Sequence, residues 1–133
     1  MVCIYCGSDL SVINSRAQKR TNSVWRRRKC DSCGAVITTT EGVDYAKTLV
    51  YRGHQNHIQP FIRAKLFISV YEAVKHRKDA LEAAEALTDT IIAHLLPQIT
   101  ASGLDRAHVI RTVHEALQRF DAAAATHYQA YHP

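Results

Sequence analysis

The sequence predicts an α+β chain in two parts: a small three-stranded antiparallel sheet within residues 1–42, then a mainly helical domain over residues 48–133 that opens with a short β-hairpin. Three observations lead there. All four cysteines fall within the first 33 residues, as two Cys-x2-Cys pairs. The stretch between the pairs is rich in β-branched residues. Beyond Gly42 there is no cysteine, and apolar residues recur at the spacing of buried helix faces.

Each cysteine pair is followed by glycine, in CIYCG (3–7) and CDSCG (30–34). A Cys-x2-Cys turn folds two thiolates toward one point, and a glycine after the second cysteine permits the positive φ that closes the knuckle. Two knuckles supply four sulfurs to one tetrahedral ion, so Cys3, Cys6, Cys30 and Cys33 are read as a structural Zn2+ site. The loop between the pairs is longer than usual for four-cysteine zinc, which leaves room for a small sheet. Strands are read over 11–15 (SVINS), 23–27 (SVWRR) and 35–40 (AVITTT), with KRTN (19–22) as a turn. So small a sheet has too little core to fold unaided, and metal binding supplies the missing free energy. Iron in the same cage, as in a rubredoxin-like electron carrier, is the alternative.

The net charge of +5 is not spread evenly. Residues 1–36 hold seven Lys and Arg against Asp9 and Asp31, whereas residues 37–133 hold ten of each sign. An anionic partner therefore meets the N-terminal part. Four cations in a row, Arg26, Arg27, Arg28 and Lys29, abut Cys30. A zinc ion with four thiolates carries a net charge of about −2, which nearby cations stabilise. Strand alternation sends Arg26 and Arg28 to one face and Arg27 and Lys29 to the other. The run is read as a phosphate-neutralising surface in preference to a solvated edge. Trp25 is read as a cover for the small core in preference to a stacking platform. No run approaches the roughly 18 apolar residues of a membrane span, and Val2-Cys3 follows Met1 in place of a basic and apolar leader. A reducing cytoplasm is the expected compartment.

Taken in order, Cys-x2-Cys-Gly, VINSR (12–16), VWRRRKC (24–30), CG (33–34) and TTTE (38–41) resemble the N-terminal zinc ribbon of the bacterial NrdR family, repressors of ribonucleotide reductase genes. The resemblance covers about forty residues. It implies that Cys3, Cys6, Cys30 and Cys33 hold zinc and that Arg16, Arg26, Arg27, Arg28 and Lys29 contact double-stranded operator DNA. Lys29 can meet phosphate but lacks the bidentate fork of arginine.

After a link at 42–47, TLVYR (48–52) reads as a strand, GHQN (53–56) as a turn and HIQPF (57–61) as the return strand. A first helix carries Phe67, Val70, Tyr71 and Val74 on one stripe. A second starts at Asp79, buries Ala84, Leu87, Ile91 and Leu95, and ends before Pro97. The third follows Gly103-Leu104, with Asp105 as N-cap and Val109, Val113, Ala116, Leu117 and Phe120 inside. A last segment, 121–132, presents Ala124, Tyr128 and Tyr131.

This half is similar to the ATP-cone, the nucleotide-sensing module that follows the ribbon in the same family, through PFIRAKL (60–66) and the ending FDAAAATHYQAYHP (120–133). The resemblance implies ATP or dATP as effectors. VYRGHQN stands in place of the family's V-x-K-R-D-G hairpin and leaves Arg52, His54, His57 and Lys65 as phosphate-binding candidates. A nucleotide-blind regulator of other genes on the same architecture is the alternative. Two domains this small give little specificity singly, so pairing into a homo-oligomer through the helical half is expected. The remaining histidines are scattered, and no carboxylate cluster, nucleophile elbow or Gly-rich phosphate loop is present, so an enzyme is not expected.

Overall fold

The computed structural model describes residues 1–133. They divide into two compact units, Met1–Val43 and Asp44–Pro133. No helix is long and apolar enough to cross a membrane.

The first unit is a three-stranded antiparallel sheet, β1 (Leu10–Gln18), β2 (Ser23–Cys30) and β3 (Val36–Glu41), with β2 in the middle. Two of the strands, β1 and β2, run further than their β-branched cores suggested, because ladder hydrogen bonds carry polar Arg and Thr positions as readily as Val, and β3 keeps its expected length one residue further on. Pairing runs Leu10 to Cys30, Ser11 to Lys29 and Val12 to Arg28, then skips a residue and resumes with Asn14 opposite Arg27. Ile13 is thus a β-bulge. The β1–β2 turn closes with Asn22 at φ +47°, a left-handed conformation that asparagine tolerates. Only two side chains of this unit are buried, Cys3 and Cys30. Val12, Ile13 and Val36 lie exposed, so hydrophobic burial does not hold this sheet together.

The second unit begins with a single helical turn, α1 (Tyr45–Thr48), capped by Asp44 through the Lys47 N–H. This turn takes residues read as a link and as the start of a strand: the strand is three residues, β4 (Val50–Arg52), pairing with β5 (Ile58–Pro60). Four helices follow, α2 (Arg63–Val74), α3 (Ala80–Leu95), α4 (Arg106–Phe120) and α5 (Ala122–Tyr131). Just before α4 a two-residue strand, β6 (Leu104–Asp105), pairs in parallel with β4, giving a small sheet in the order β5-β4-β6. That strand was read only as a helix cap.

Local chemistry sets the helix ends. The opening of α3, ALEAAEAL, is built from the strongest helix formers. Pro97 bends its end into a 3-10 turn, Leu96–Gln98. Asp105 accepts from the Ala107 N–H and starts α4. Asp121 ends α4, its N–H donating to Leu117 at 2.7 Å, and starts α5 by accepting from Ala123 and Ala124.

The core runs from Phe61 through Val70, Val74, Ala84, Ile91, Leu95, Leu104, Val113, Leu117 and Ala124 to Tyr128. Burying each large aliphatic side chain contributes about 1.5–3 kcal/mol. Four expected members lie elsewhere. Phe67 and Tyr71 form a stacked pair at the rim, 6.2 Å apart, while Leu66 and Ala73 take the inner stripe of α2. Phe120 is 40% exposed because its ring lies under Arg77, 4.7 Å from the guanidinium carbon. Tyr131 is 72% exposed, one turn beyond the last point where α5 meets the core.

Candidate metal centre and nucleic-acid interface

The two knuckles are built alike. Gly7 donates its N–H to the Cys3 carbonyl and Gly34 to the Cys30 carbonyl, both at 2.9 Å. The glycines stand at φ +75° and +74°, where a Cβ would be strained. Each knuckle closes on the sheet, Cys3 N–H donating to Ser8 and Cys30 N–H to Ala35. The turns bring the four sulfurs within 4.8 Å of one another. Cys3 and Cys33 approach to 3.6 Å, and Cys6 and Cys30 to 3.5 Å.

A tetrahedral ion with sulfur at about 2.3 Å sets its ligands about 3.8 Å apart, so the quartet fits a four-thiolate metal closely. Proton affinities agree with that fit. Cys6 is lowered to about 6, first by the Ser8 N–H and then by the Ser8 hydroxyl. For Cys33 the Ala35 N–H pulls downward, but desolvation and the neighbouring thiols outweigh it and push the group up to about 12. One thiolate forms readily and the last resists. A bound cation removes that resistance. Four sulfurs would leave a tetrahedral ion no open position, the donor set of a structural rather than a catalytic centre.

Register decides what the basic run does. Partners directly opposite in an antiparallel sheet share a face. Arg26 and Arg28 lie on the face of Cys30, Ile37, Thr39 and Glu41. There Arg26 meets Glu41 at 3.1 Å, its Nε buried without a partner, and the Arg28 Nε–H donates to Thr39 at 3.0 Å. Both side chains are half-buried. The other face carries Arg27 and Lys29, with Arg16 opposite Trp25 and Asn14 opposite Arg27. Arg16, Arg27 and Lys29 are exposed and make no ion pair. Trp25 is half-buried and lies outside the one buried apolar cluster of the chain, which belongs to the helical unit. It covers no core.

In the helical unit a cavity of about 200 Å3 opens between the small sheet and helices α2, α4 and α5, lined by Tyr51, Lys65, Ser69, Arg106, Tyr128 and His132. Of the four phosphate-binding candidates only Lys65 reaches it. Alternation along β4 puts Arg52 on the opposite face from Tyr51, and His54 and His57 stand exposed around the β4–β5 turn. Arg106, Tyr128 and His132 were missed. One signal pointed to Arg106: it is the first residue of α4, where the helix dipole disfavours a cation. Burial raises the Tyr51 phenol, with Arg106 acting against it, and pushes Tyr128 up to about 12. The His132 Nδ1–H donates to the Tyr128 carbonyl at 3.1 Å, and the two rings stack at 4.1 Å.

Comparison with known proteins places this geometry. Residues 1–41 match the family described as "Transcriptional repressor NrdR-like, N-terminal domain". Transcriptional repressor NrdR of Symbiobacterium thermophilum is 34% identical over 128 residues, covering 93% of this chain and 81% of the relative. The proteins of the same name from Geobacter sulfurreducens and Geotalea uraniireducens are each 35% identical, over 96 and 92 residues. Those two matches span 63% and 61% of the relatives' own length. With one relative sharing a third of its residues across four-fifths of its length, and with the ribbon matched by the family model, the chain belongs to the NrdR family.

Proposed function

We propose that this protein is a zinc-dependent DNA-binding transcriptional repressor of ribonucleotide reductase genes, whose helical domain responds to ATP or dATP and pairs chains into a homo-oligomer in the bacterial cytoplasm. The observation that carries the reading is the joining of a four-sulfur centre to a sheet with three exposed, unpaired cations. Cys3, Cys6, Cys30 and Cys33 hold the ion, and the ion fixes the sheet that presents Arg16, Arg27 and Lys29 to solvent and carries Arg26 and Arg28 on its other face. Neutralising phosphates releases counterions and drives association. Nucleotide response is supported by the cavity, which sets Lys65 and Arg106 beside aromatic walls. Zinc is colourless, so a red preparation favours iron and a rubredoxin-like carrier.

Gel-shift titration on a ribonucleotide reductase promoter, without nucleotide, with ATP and with dATP, tests target and effector together. Preference for the promoter over scrambled duplex, altered by a nucleotide, is the expected result. Equal binding to both with a steep salt slope reduces the protein to a nonspecific phosphate binder. A second reading, a nucleotide-blind repressor, is favoured by the position of Arg52, His54 and His57 away from the cavity. Absence of heat on titrating ATP and dATP into the intact protein selects it.

A further inference from the structure

The bulge at Ile13 changes which side chains share a face. Before it, even-numbered residues of β1 lie with Arg28 and Cys30, as Val12 and Leu10 do. Continued without interruption, that alternation would put Asn14 and Arg16 on the same side, beside the neutralised Arg26 and Arg28. Ile13 shifts the pairing by one residue, so Asn14 falls opposite Arg27 and Arg16 opposite Trp25. Bulges re-aim side chains in this way.

The result is a face with no carboxylate. Of the three acidic residues in the first unit, Glu41 pairs with Arg26 on the far face, and Asp9 and Asp31 lie outside the paired ladder. Three cross-strand rows follow one another, each with one cation: Ser11-Lys29-Val36, then Asn14-Arg27-Thr38, then Arg16-Trp25-Thr40. Alternate strand residues are about 6.8 Å apart. The middle row sets an arginine beside an asparagine, side chains that pair bidentately with guanine and adenine edges. Trp25 lies in the third row, and its indole N–H makes no hydrogen bond within the chain.

We infer that this face is the one that meets duplex DNA, with Asn14 and Arg27 at base edges, Arg16 and Lys29 on phosphates and Trp25 against the nucleotide beside Arg16. Arg26 and Arg28 fasten the sheet from behind, and the Ile13 bulge brings Asn14 and Arg16 to the front. The inference rests on the DNA-binding reading above and divides the basic run into contacting and supporting members.

Trp25 is the chain's single tryptophan, so its emission reports on this face alone. Full-length zinc-loaded protein is titrated with end-labelled promoter duplex. Anisotropy of the label follows binding while tryptophan emission is read in parallel. The inference expects quenching of Trp25 and its protection from acrylamide at saturation. It also expects the slope of log K against log salt to fall by about 0.9 for each of Arg16→Ala and Lys29→Ala, while Arg27→Ala keeps the slope and narrows the preference for promoter over scrambled duplex. Arg26→Ala and Arg28→Ala should keep the parent slope, and deletion of Ile13 should lose the Arg16 contribution. Zinc is measured on every variant, and Arg16→Gln or Arg27→Gln replaces an alanine variant that fails to hold it. Trp25 emission indifferent to saturating duplex, or slopes lowered by the Arg26 and Arg28 variants but not by Arg16 and Lys29, overturns the inference and leaves DNA binding intact. No anisotropy change with any duplex at low salt instead removes DNA binding itself, and this face with it.

Discussion

Met1–Val43 buries two side chains, and both are cysteines; Asp44–Pro133 buries a continuous apolar cluster from Phe61 to Tyr128. A unit fastened at one point adjoins, along the chain, a unit fastened everywhere. In the first, nearly all side chains face water, so positions that a core would claim carry Arg, Lys, Asn and Thr. A four-thiolate metal contributes about 10–16 kcal/mol to folding, which releases the sheet from the need for a core. In the second, stability is distributed, and polar ties join its elements. Arg77 bridges Asp79 and Asp121, and Arg63 bridges Glu85 and Asp89. Concentrated stability frees a surface for recognition; distributed stability tolerates single losses.

The strongest way to break the comparison is chelation. Stripping the metal should unfold the first unit wholly, moving Trp25 emission and abolishing duplex binding, while ellipticity at 222 nm from the helical unit persists. Joint loss of both signals would show that the units are not independent. Next in size, Leu117→Ala opens a void in a side chain that is 0% exposed and should cost about 2–5 kcal/mol in thermal unfolding followed at 222 nm, with zinc content unchanged.

A smaller effect is expected at Asp121. The Ala124 N–H, then His76 and Arg77, hold its carboxyl below the usual value near 3.8. Stabilisation from this group is therefore complete above that value and is lost as pH falls through the depressed folded one. Asp121→Asn should lower Tm at neutral pH by less than Leu117→Ala does, and the gap from the parent should close toward pH 2. A gap unchanged by acid would assign the effect to shape rather than charge. Smallest of all, Arg63→Ala removes two half-exposed ion pairs and should cost under about 1 kcal/mol, diminishing further in high salt.

What the sequence disclosed follows the same division. Knuckles are local, so spacing and trailing glycines sufficed to find Cys3, Cys6, Cys30 and Cys33. Strands rich in β-branched residues, the helix start at Asp79 and the cap at Asp105 are local too. The bulge was not legible, because a shift of pairing by one residue depends on where β2 lies beside β1. Nor was the cavity, whose Tyr51, Arg106 and Tyr128 come from three distant stretches. Phe120 and Tyr131 were misplaced because helical period says which residues align, not how far along a helix its neighbour extends. Arg77 claims the ring of the first, and the second lies past the last packed turn.

The two-residue strand β6 has a temporal consequence. It docks on β4 across some fifty residues of intervening chain, most of them in α2 and α3. Closing so long a loop is slow relative to winding a helix, so β4 and β5 must wait with one edge bare until those helices are in place. The turn that admits β6 contains Gly103 at φ +90°, where a methyl group would strike the Val50 carbonyl. During synthesis the edge of β4 stays open until residue 105 has left the ribosome, and in the finished protein its amides, paired on both sides, should trade hydrogen for deuterium later than those of β5 and β6.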